Sequence, residues 1–268
     1  MVVGHVPVRH AGAVSSGEFR KSRTGAHRDF FAAEAAGLRW LAEAGGPVVE
    51  VVDVGADHIT LARLASAGPT QQHAREFGAA LARMHGAGAD RFGSAPAGFT
   101  GQMFIGNRPM PSTPTEHWGE FYAHQRVLAF VDDAVAAGNL SRADESDTRE
   151  VCALIASGVF DDEAPPARIH GDLWNGNVVW TPDGVVLIDP AAHGGHRETD
   201  LAMLALFGCA ALDAVIEGYQ VVYPLRDRWP DRIPLHQLHP LAVHAAGHGP
   251  GYGVELGRAA RKTLELTP

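Results

Sequence analysis

The sequence predicts an α+β protein in which a small β-rich unit precedes a larger, mostly helical one. Three observations carry this. Residues 17–64 hold short strand-like runs around one strongly periodic helix. A break of small residues, "ASAGPT" at 65–70, follows. From residue 71 onward apolar side chains recur mainly at three- and four-residue steps, the spacing of a buried helix face.

Taken in order, "GEFRKSR" (17–23) reads as a strand with Phe19 and Lys21 on one face and Arg20 on the other. "HRDFFAAEAAGLRWLAEAGG" (27–46) is a helix: Phe30, Phe31, Glu34, Leu38 and Leu41 share a face, and Gly45-Gly46 ends it. "VVEVVDVG" (48–55) and "HITLARL" (58–64) are two further strands. The break at 65–70 divides the chain into 1–66 and 67–268. Beyond it, "QQHAREFGAALARMHG" aligns Phe77, Leu81 and Met84. A Gly- and Pro-rich loop at 86–115 is long enough to suggest function. Helices are expected over 116–138 and 143–159. Then "VVW", "TPDG" and "VVLID" (178–189) spell a hairpin with standard turn residues. Apolar helices at 199–208 and 212–222 and a His-rich helical tail close the chain.

Bulk properties exclude some functions. The net charge is −9 without any block of like charge, which argues against nucleic acid or an anionic membrane as the main partner. No run of 18 apolar residues occurs, and no signal-peptide pattern opens the chain, so a cytoplasmic protein is expected. Cys152 and Cys209 lie in apolar helical surroundings and read as buried thiols.

The chemistry concentrates in "IHGDLWNGNVVWTPDGVVLIDPAAHGG" (169–195). Asp172 and Asn177 bracket a loop before the hairpin, and Asp189 ends the hairpin's second strand. A hairpin brings its ends together, so Asn177 and Asp189 can share a hard cation, with Asp172 one loop away and free to take a proton. Phosphoryl transfer needs that division of labour. The alternative is that all three merely cap turns. Fifteen histidines raise the question of zinc. His236, His239, His244 and His248 lack Cys or acidic neighbours in sequence, and they read instead as packing or as lining of an acceptor pocket.

"HGDLWNGN", "LIDPAAHGG" and "TDLAML" resemble the aminoglycoside-phosphotransferase-like branch of the protein-kinase-like fold. The Leu-Trp of the loop, "FIGNRPMPSTPTEHWGEFYAHQRVL" (104–128) and "IPLHQLHPLAVH" are similar to the fructosamine (ketosamine 3-) kinase family. The resemblance implies a two-lobe protein-kinase-like protein, with a nucleotide-binding N-lobe at 1–66 and a catalytic C-lobe at 67–268. It implies ATP and Mg²⁺ as cofactors and a ketosamine or glycated amine as acceptor, phosphorylated at its 3-hydroxyl. It further implies Asp172 as base and Asn177 and Asp189 as metal ligands. Lys21 would hold the α/β-phosphates with Glu34 as its ion-pair partner, and "LARLAS" (61–66), centred on Arg63 and Leu64, would receive adenine. Trp174 and His193 would face the acceptor, while His170 and Asp200 would support the loop, Asp200 also capping its helix. "AGAVSSGEF" is a poor version of the family's Gly-rich phosphate turn, through Ser15, Ser16 and Gly17. That reduced start keeps open a nucleotide-binding pseudokinase. A kinase of aminoglycosides or other amino alcohols is the other alternative. A monomer or weak dimer is expected.

Overall fold

The computed structural model describes residues 17–266. Its N-terminal part is a three-stranded antiparallel sheet in the order β1 (Glu18–Ser22), β3 (His58–Ala62), β2 (Val51–Val54), crossed by helix α1 (Phe30–Glu43). Register explains the sidedness. Phe19 lies opposite Leu61 and Lys21 opposite Ile59, and directly paired residues project to the same face. Ile59 and Leu61 are buried with Phe31, Ala35 and Leu38 of α1, so the strand alternation turns Lys21 toward that helix. The β2 strand is shorter than expected. Residues 47–49 leave this sheet, because the amide of Val49 bonds the Leu187 carbonyl and that of Leu187 bonds the Pro47 carbonyl.

The larger part begins with α2 (Gln71–Gly86), capped by Thr70 Oγ1 on the His73 amide. It lies against α7 (Leu212–Val222) with the two backbones in contact: a Cβ on Gly78 would sit 1.9 Å from the Val215 carbonyl oxygen. The long loop after α2 is not structureless, for it carries the hairpin β4 (Met103–Ile105) and β5 (Arg108–Met110). The helix expected at 116–138 runs from Trp118 to Ala136 as α3 (Trp118–Phe121), a π-helical stretch at Tyr122–Val127 and α4 (Leu128–Ala136). Then come α5 (Arg142–Ala156), β6 (Ala167–Ile169), the expected hairpin β7 (Val178–Thr181) and β8 (Gly184–Leu187), and β9 (His193–Gly195), which pairs with β6. Helices α6 (Arg197–Phe207), α8 (Ile233–Gly247) and α9 (Pro250–Leu264) complete it.

Burial does not divide cleanly at residue 66. Trp40 and Leu41 of α1 share a core with Phe77, Leu81, Leu187 and Leu201 from the larger part. Arg168 ties the end of α1 to β6, donating to the Trp40 carbonyl at 3.0 Å and lying over the Trp40 ring. Both cysteines are free; Cys152 is buried as expected, whereas Cys209, just past the end of α6, is only half-buried. No helix among the described residues is long and apolar enough to cross a membrane.

Candidate active site

Asp172 sits in a loop whose main chain is fixed by buried side chains. The chain must turn sharply after β6, and Gly171 supplies a φ of +79°; a Cβ there would meet the Ala191 carbonyl oxygen at 2.3 Å. Asp200, in the first turn of α6, accepts hydrogen bonds from the amides of His170 (2.7 Å) and Gly171 (2.9 Å). His85 at the end of α2 donates to the same carboxylate at 3.1 Å, and the Tyr219 hydroxyl lies 2.9 Å from the other ring nitrogen of His85. Burial works against the Asp200 charge, yet the bond and charge of His85 outweigh it and hold the carboxyl below its ordinary range. Asp200 therefore lies against the loop main chain, while α6 is capped not by Asp200, as expected, but by His196 Nδ1, which accepts the Glu198 amide.

His170 lies buried between the two segments that carry Asp172 and Asp189. Its Nε2 donates to the carbonyl of Ile188, the residue before Asp189, and its Nδ1 accepts the Asp172 amide. One ring therefore spans both chemical loops. Asn177 braces the turn from within: its amide nitrogen donates to the Asp172 carbonyl at 2.7 Å and reaches the Asp172 carboxylate at 3.2 Å. Burial, with the charges of Asp189 and Asp200 adding to it and the Asn177 bond opposing, pushes the Asp172 carboxyl up to about 7.

Asp189 lies two residues beyond the end of β8. Its φ of +54° is a conformation that side chains other than Gly, Asn and Asp rarely take. Left-handed backbone in an aspartate beside a reactive loop is strain of the kind that functional sites retain. Its side chain is 46% exposed and pairs with Lys21, which also donates to Glu34 at 2.8 Å. Burial opposes the Lys21 charge, but Glu34 and Asp189 outweigh it and raise the pKa above the ordinary value. The structure thus brings together Asp172, Asn177, Asp189, Lys21 and Glu34 from four separate stretches of chain. Asn177 touches Asp172 directly, and Lys21 bridges Glu34 and Asp189.

Other expected residues stand differently. Trp174 is exposed at the rim of the loop, edge-on to Phe207, which packs against His244, itself 4.9 Å from Tyr252 between ring centroids. His193 does not face an acceptor. It is 2% exposed, and both ring nitrogens are engaged, one with Arg126 and one with the Ala191 carbonyl. Arg63 is exposed, and its amide is committed to the Gly17 carbonyl, so that amide is not free to receive adenine as expected, while the Gly17 amide is left untouched by this bond. Leu64 is half-buried against the N-terminal core. Ser15 and Ser16 lie outside the described residues. Among the histidines, His236 meets His196 and Glu198 in a buried cluster. Here the sequence was misleading, since the acidic companion comes from another helix. The carboxylate is already taken by Arg232, at 2.6 and 2.9 Å, and a cation would have to displace that guanidinium.

Sequence reasoning missed His85, Tyr219 and Phe207. Each reads as an ordinary member of an apolar helix, and only the crossing of α2, α6 and α7 shows what two of them hold.

A sequence model of the fructosamine kinase family matches residues 10–265. A relative from Enterococcus faecium, provisionally named a ketoamine kinase, is 30% identical over 189 residues, covering 70% of this chain and 66% of the relative. The chain therefore matches just under two thirds of that relative's length. A solved structure from Thermobifida fusca, provisionally named a fructosamine-3-kinase, superposes with a TM-score of 0.86 at 45% identity over 92% of this chain and 85% of that one. At 12% identity, a gentamicin-bound aminoglycoside phosphotransferase still superposes with a TM-score of 0.59 over 94% of this chain and 86% of its own. That likeness is one of fold, and the fold is the two-lobe protein-kinase-like one.

Proposed function

This chain belongs to the fructosamine kinase family, and from that premise we propose that it transfers a phosphate from Mg-ATP to the 3-hydroxyl of a ketosamine. The observation that carries the reading is the convergence of Asp172, Asn177 and Asp189 beside the Lys21–Glu34 pair. In this reading Asp172 accepts the proton of the acceptor hydroxyl. A carboxyl near 7 suits that task, since a base works best when its pKa lies close to the working pH. Lys21 holds the α/β-phosphates, and Glu34 keeps the ammonium in place against its own burial. Asn177 and Asp189 fit a hard cation. The Asn177 nitrogen is spent on Asp172, which leaves its amide oxygen as the ligand atom, and the Asp189 carboxylate is open to solvent. When bound, Mg²⁺ would screen the triphosphate charge. Adenine is proposed to dock along 61–66 at Leu64, which shares the N-terminal core with Val186 and Ile188 of the hairpin region.

The acceptor is proposed to lie against Trp174, Phe207, His244 and Tyr252. This wall is aromatic and carries no carboxylate, which suits a sugar face with a single amine. A multiply charged aminoglycoside needs several carboxylates there. Phosphorylation at the 3-hydroxyl places a leaving group on C3, so the product is expected to enolise at C1–C2, expel inorganic phosphate and free the amine when water hydrolyses the resulting imine, making the reaction a deglycation. The test is ADP release across fructose-lysine, ribulose-lysine, an aminoglycoside and no acceptor. Ketosamine turnover is expected at a kcat/KM at least about tenfold above the aminoglycoside, roughly 1.4 kcal/mol of transition-state binding. Equal or better turnover of the aminoglycoside would replace the ketosamine reading by the antibiotic-kinase one, and no acceptor-dependent ADP at all would leave a pseudokinase.

A further inference from the structure

Arg126 is a cation in an unexpected place. It is 1% exposed, in the π-helical stretch after α3, and no carboxylate among the described residues pairs with it. Its Nη2 has no hydrogen-bond partner. Its guanidinium lies over the Phe121 ring at 4.4 Å, and one terminal nitrogen is spent on the carbonyls of Pro111 and Gln125. Burying a guanidinium on these terms costs the fold free energy, and an apolar side chain of similar size would often do as well or better. Stability alone does not account for it.

What Arg126 does reach is His193. A guanidinium only donates, so its Nε at 3.1 Å makes His193 Nε2 the acceptor. That fixes the tautomer: the proton sits on His193 Nδ1 and is donated to the Ala191 carbonyl at 2.7 Å. The Ala191 amide in turn bonds the His170 carbonyl at 3.0 Å. The His193 ring also closes directly behind Gly171, where an added Cβ would meet it at 2.9 Å. The π-helical stretch matters because its extra residue per turn re-aims side chains, a device common at functional sites.

We propose that Arg126 and His193 are positioning residues for phosphotransfer, a rigid brace behind the loop that holds Asp172 in register with Asp189. Asp200 and His85 grip the His170–Gly171 main chain from one side. Arg126, through His193 and Ala191, blocks it from the other. The brace touches neither nucleotide nor acceptor. The inference rests on the proposed role of Asp172.

The test uses the full chain with R126M and H193N. Arg126→Met removes the cation and keeps the volume. His193→Asn keeps a donor for the Ala191 carbonyl and loses the link to Arg126. Each is expected to lower kcat for the ketosamine about 10- to 100-fold, as loss of register of about 1 Å does. The ATP-induced thermal shift is expected to stay as in the wild type. R126M leaves the Pro111 carbonyl and His193 Nε2 without their donor, so its Tm is expected to fall modestly while the ATP-induced shift stays. The double variant should be no worse than either single one, because both break the same chain of bonds. Hydrogen exchange of the 169–173 amides should speed up in both. Unchanged kcat and unchanged exchange in either folded variant would overturn the brace, and so would activity, Tm and ATP shift falling in parallel. If R126M does not fold, H193N carries the same readouts. A wild type without ketosamine turnover defeats the functional reading instead, and the exchange measurement still decides the brace.

Discussion

Replacing Asp200 by Asn is a nearly isosteric change with a calculable cost. In the native site Oδ2 accepts from the His170 amide at 2.7 Å and from His85 at 3.1 Å, while Oδ1 accepts from the Gly171 amide at 2.9 Å. An amide can keep one oxygen. Its better choice leaves that oxygen on His170 and His85 and turns the NH₂ against the Gly171 N–H. Two donors then face each other in a buried position, which costs about 1–3 kcal/mol for the unsatisfied group. The two surviving bonds lose their charge assistance, worth roughly another 1 kcal/mol each. The sum is about 3–5 kcal/mol, against a typical total stability of about 5–15 kcal/mol. D200N should therefore fold with a clearly lower urea midpoint. Freed at Gly171, the loop lets Asp172 drift, and kcat is expected to fall about 100-fold while the ATP-induced thermal shift persists. Urea unfolding and ADP release measure the two effects. A loss below about 1 kcal/mol together with wild-type kcat would refute the grip assigned to Asp200.

Three other outcomes follow from the same geometry. Asp172→Asn should remove about 10²–10⁴-fold of turnover without weakening ATP binding, because the base is lost and the shape is kept; near-native turnover in the purified variant would remove Asp172 from the chemistry. Trp174→Ala should lower kcat/KM for the ketosamine about tenfold and leave the ATP-induced thermal shift intact, since the ring stands at the loop rim against Phe207; a matching loss of ATP affinity would count against an acceptor wall there. Stability should fall in acid: burial holds His170, His193 and His236 below the ordinary range and His239 at about 3, so the unfolded chain takes up protons below about 6.5 that the folded chain refuses. Each group removes up to about 1.4 kcal/mol per pH unit, with raised Asp172 and Glu34 opposing, so Tm should drop steeply between pH 6.5 and 5, and a flat Tm over that range would contradict the neutral burial of the histidines.

The elements that sequence reasoning placed well are those whose pattern is local. The face shared by Phe19 and Lys21, the α1 periodicity and the Pro-Asp-Gly hairpin turn are properties of a few neighbouring residues, and the structure keeps them. The failures are of another kind. Val48 and Val49 look like strand residues of the first sheet, but their partner is Leu187, almost 140 positions away. The family resemblance implies that His193 faces the acceptor, yet the buried Arg126 claims its ring. His85 and Tyr219 carry no motif at all; their role arises only where α2 and α7 cross above α6. Motif spacing reported the groups that meet at the loop, while the groups that hold the loop came from tertiary packing, which no short window contains.

That distinction bears on how the Lys21–Glu34 pair is kept. Helix α1, which carries Glu34, is held by the larger part along its whole length. At its start, Asp29 accepts the Gln102 amide at 3.0 Å, and Phe30 and His27 pack on Phe104 of β4. In its middle, Gly37 lies so close to Ala192 and Pro190 that an added Cβ would stand 3.1 Å from the Ala192 Cβ. At its end, Arg168 takes the Trp40 carbonyl. Moving Glu34 away from Lys21 on the α1 side would therefore disturb all three of these contacts. The residues after Asp189 serve two ends at once: Pro190 and Ala192 carry α1, and Ala191 carries the His170 carbonyl. The positions of Glu34, the ion-pair partner of Lys21, and of the Asp172 loop are thus both tied to one short stretch of main chain.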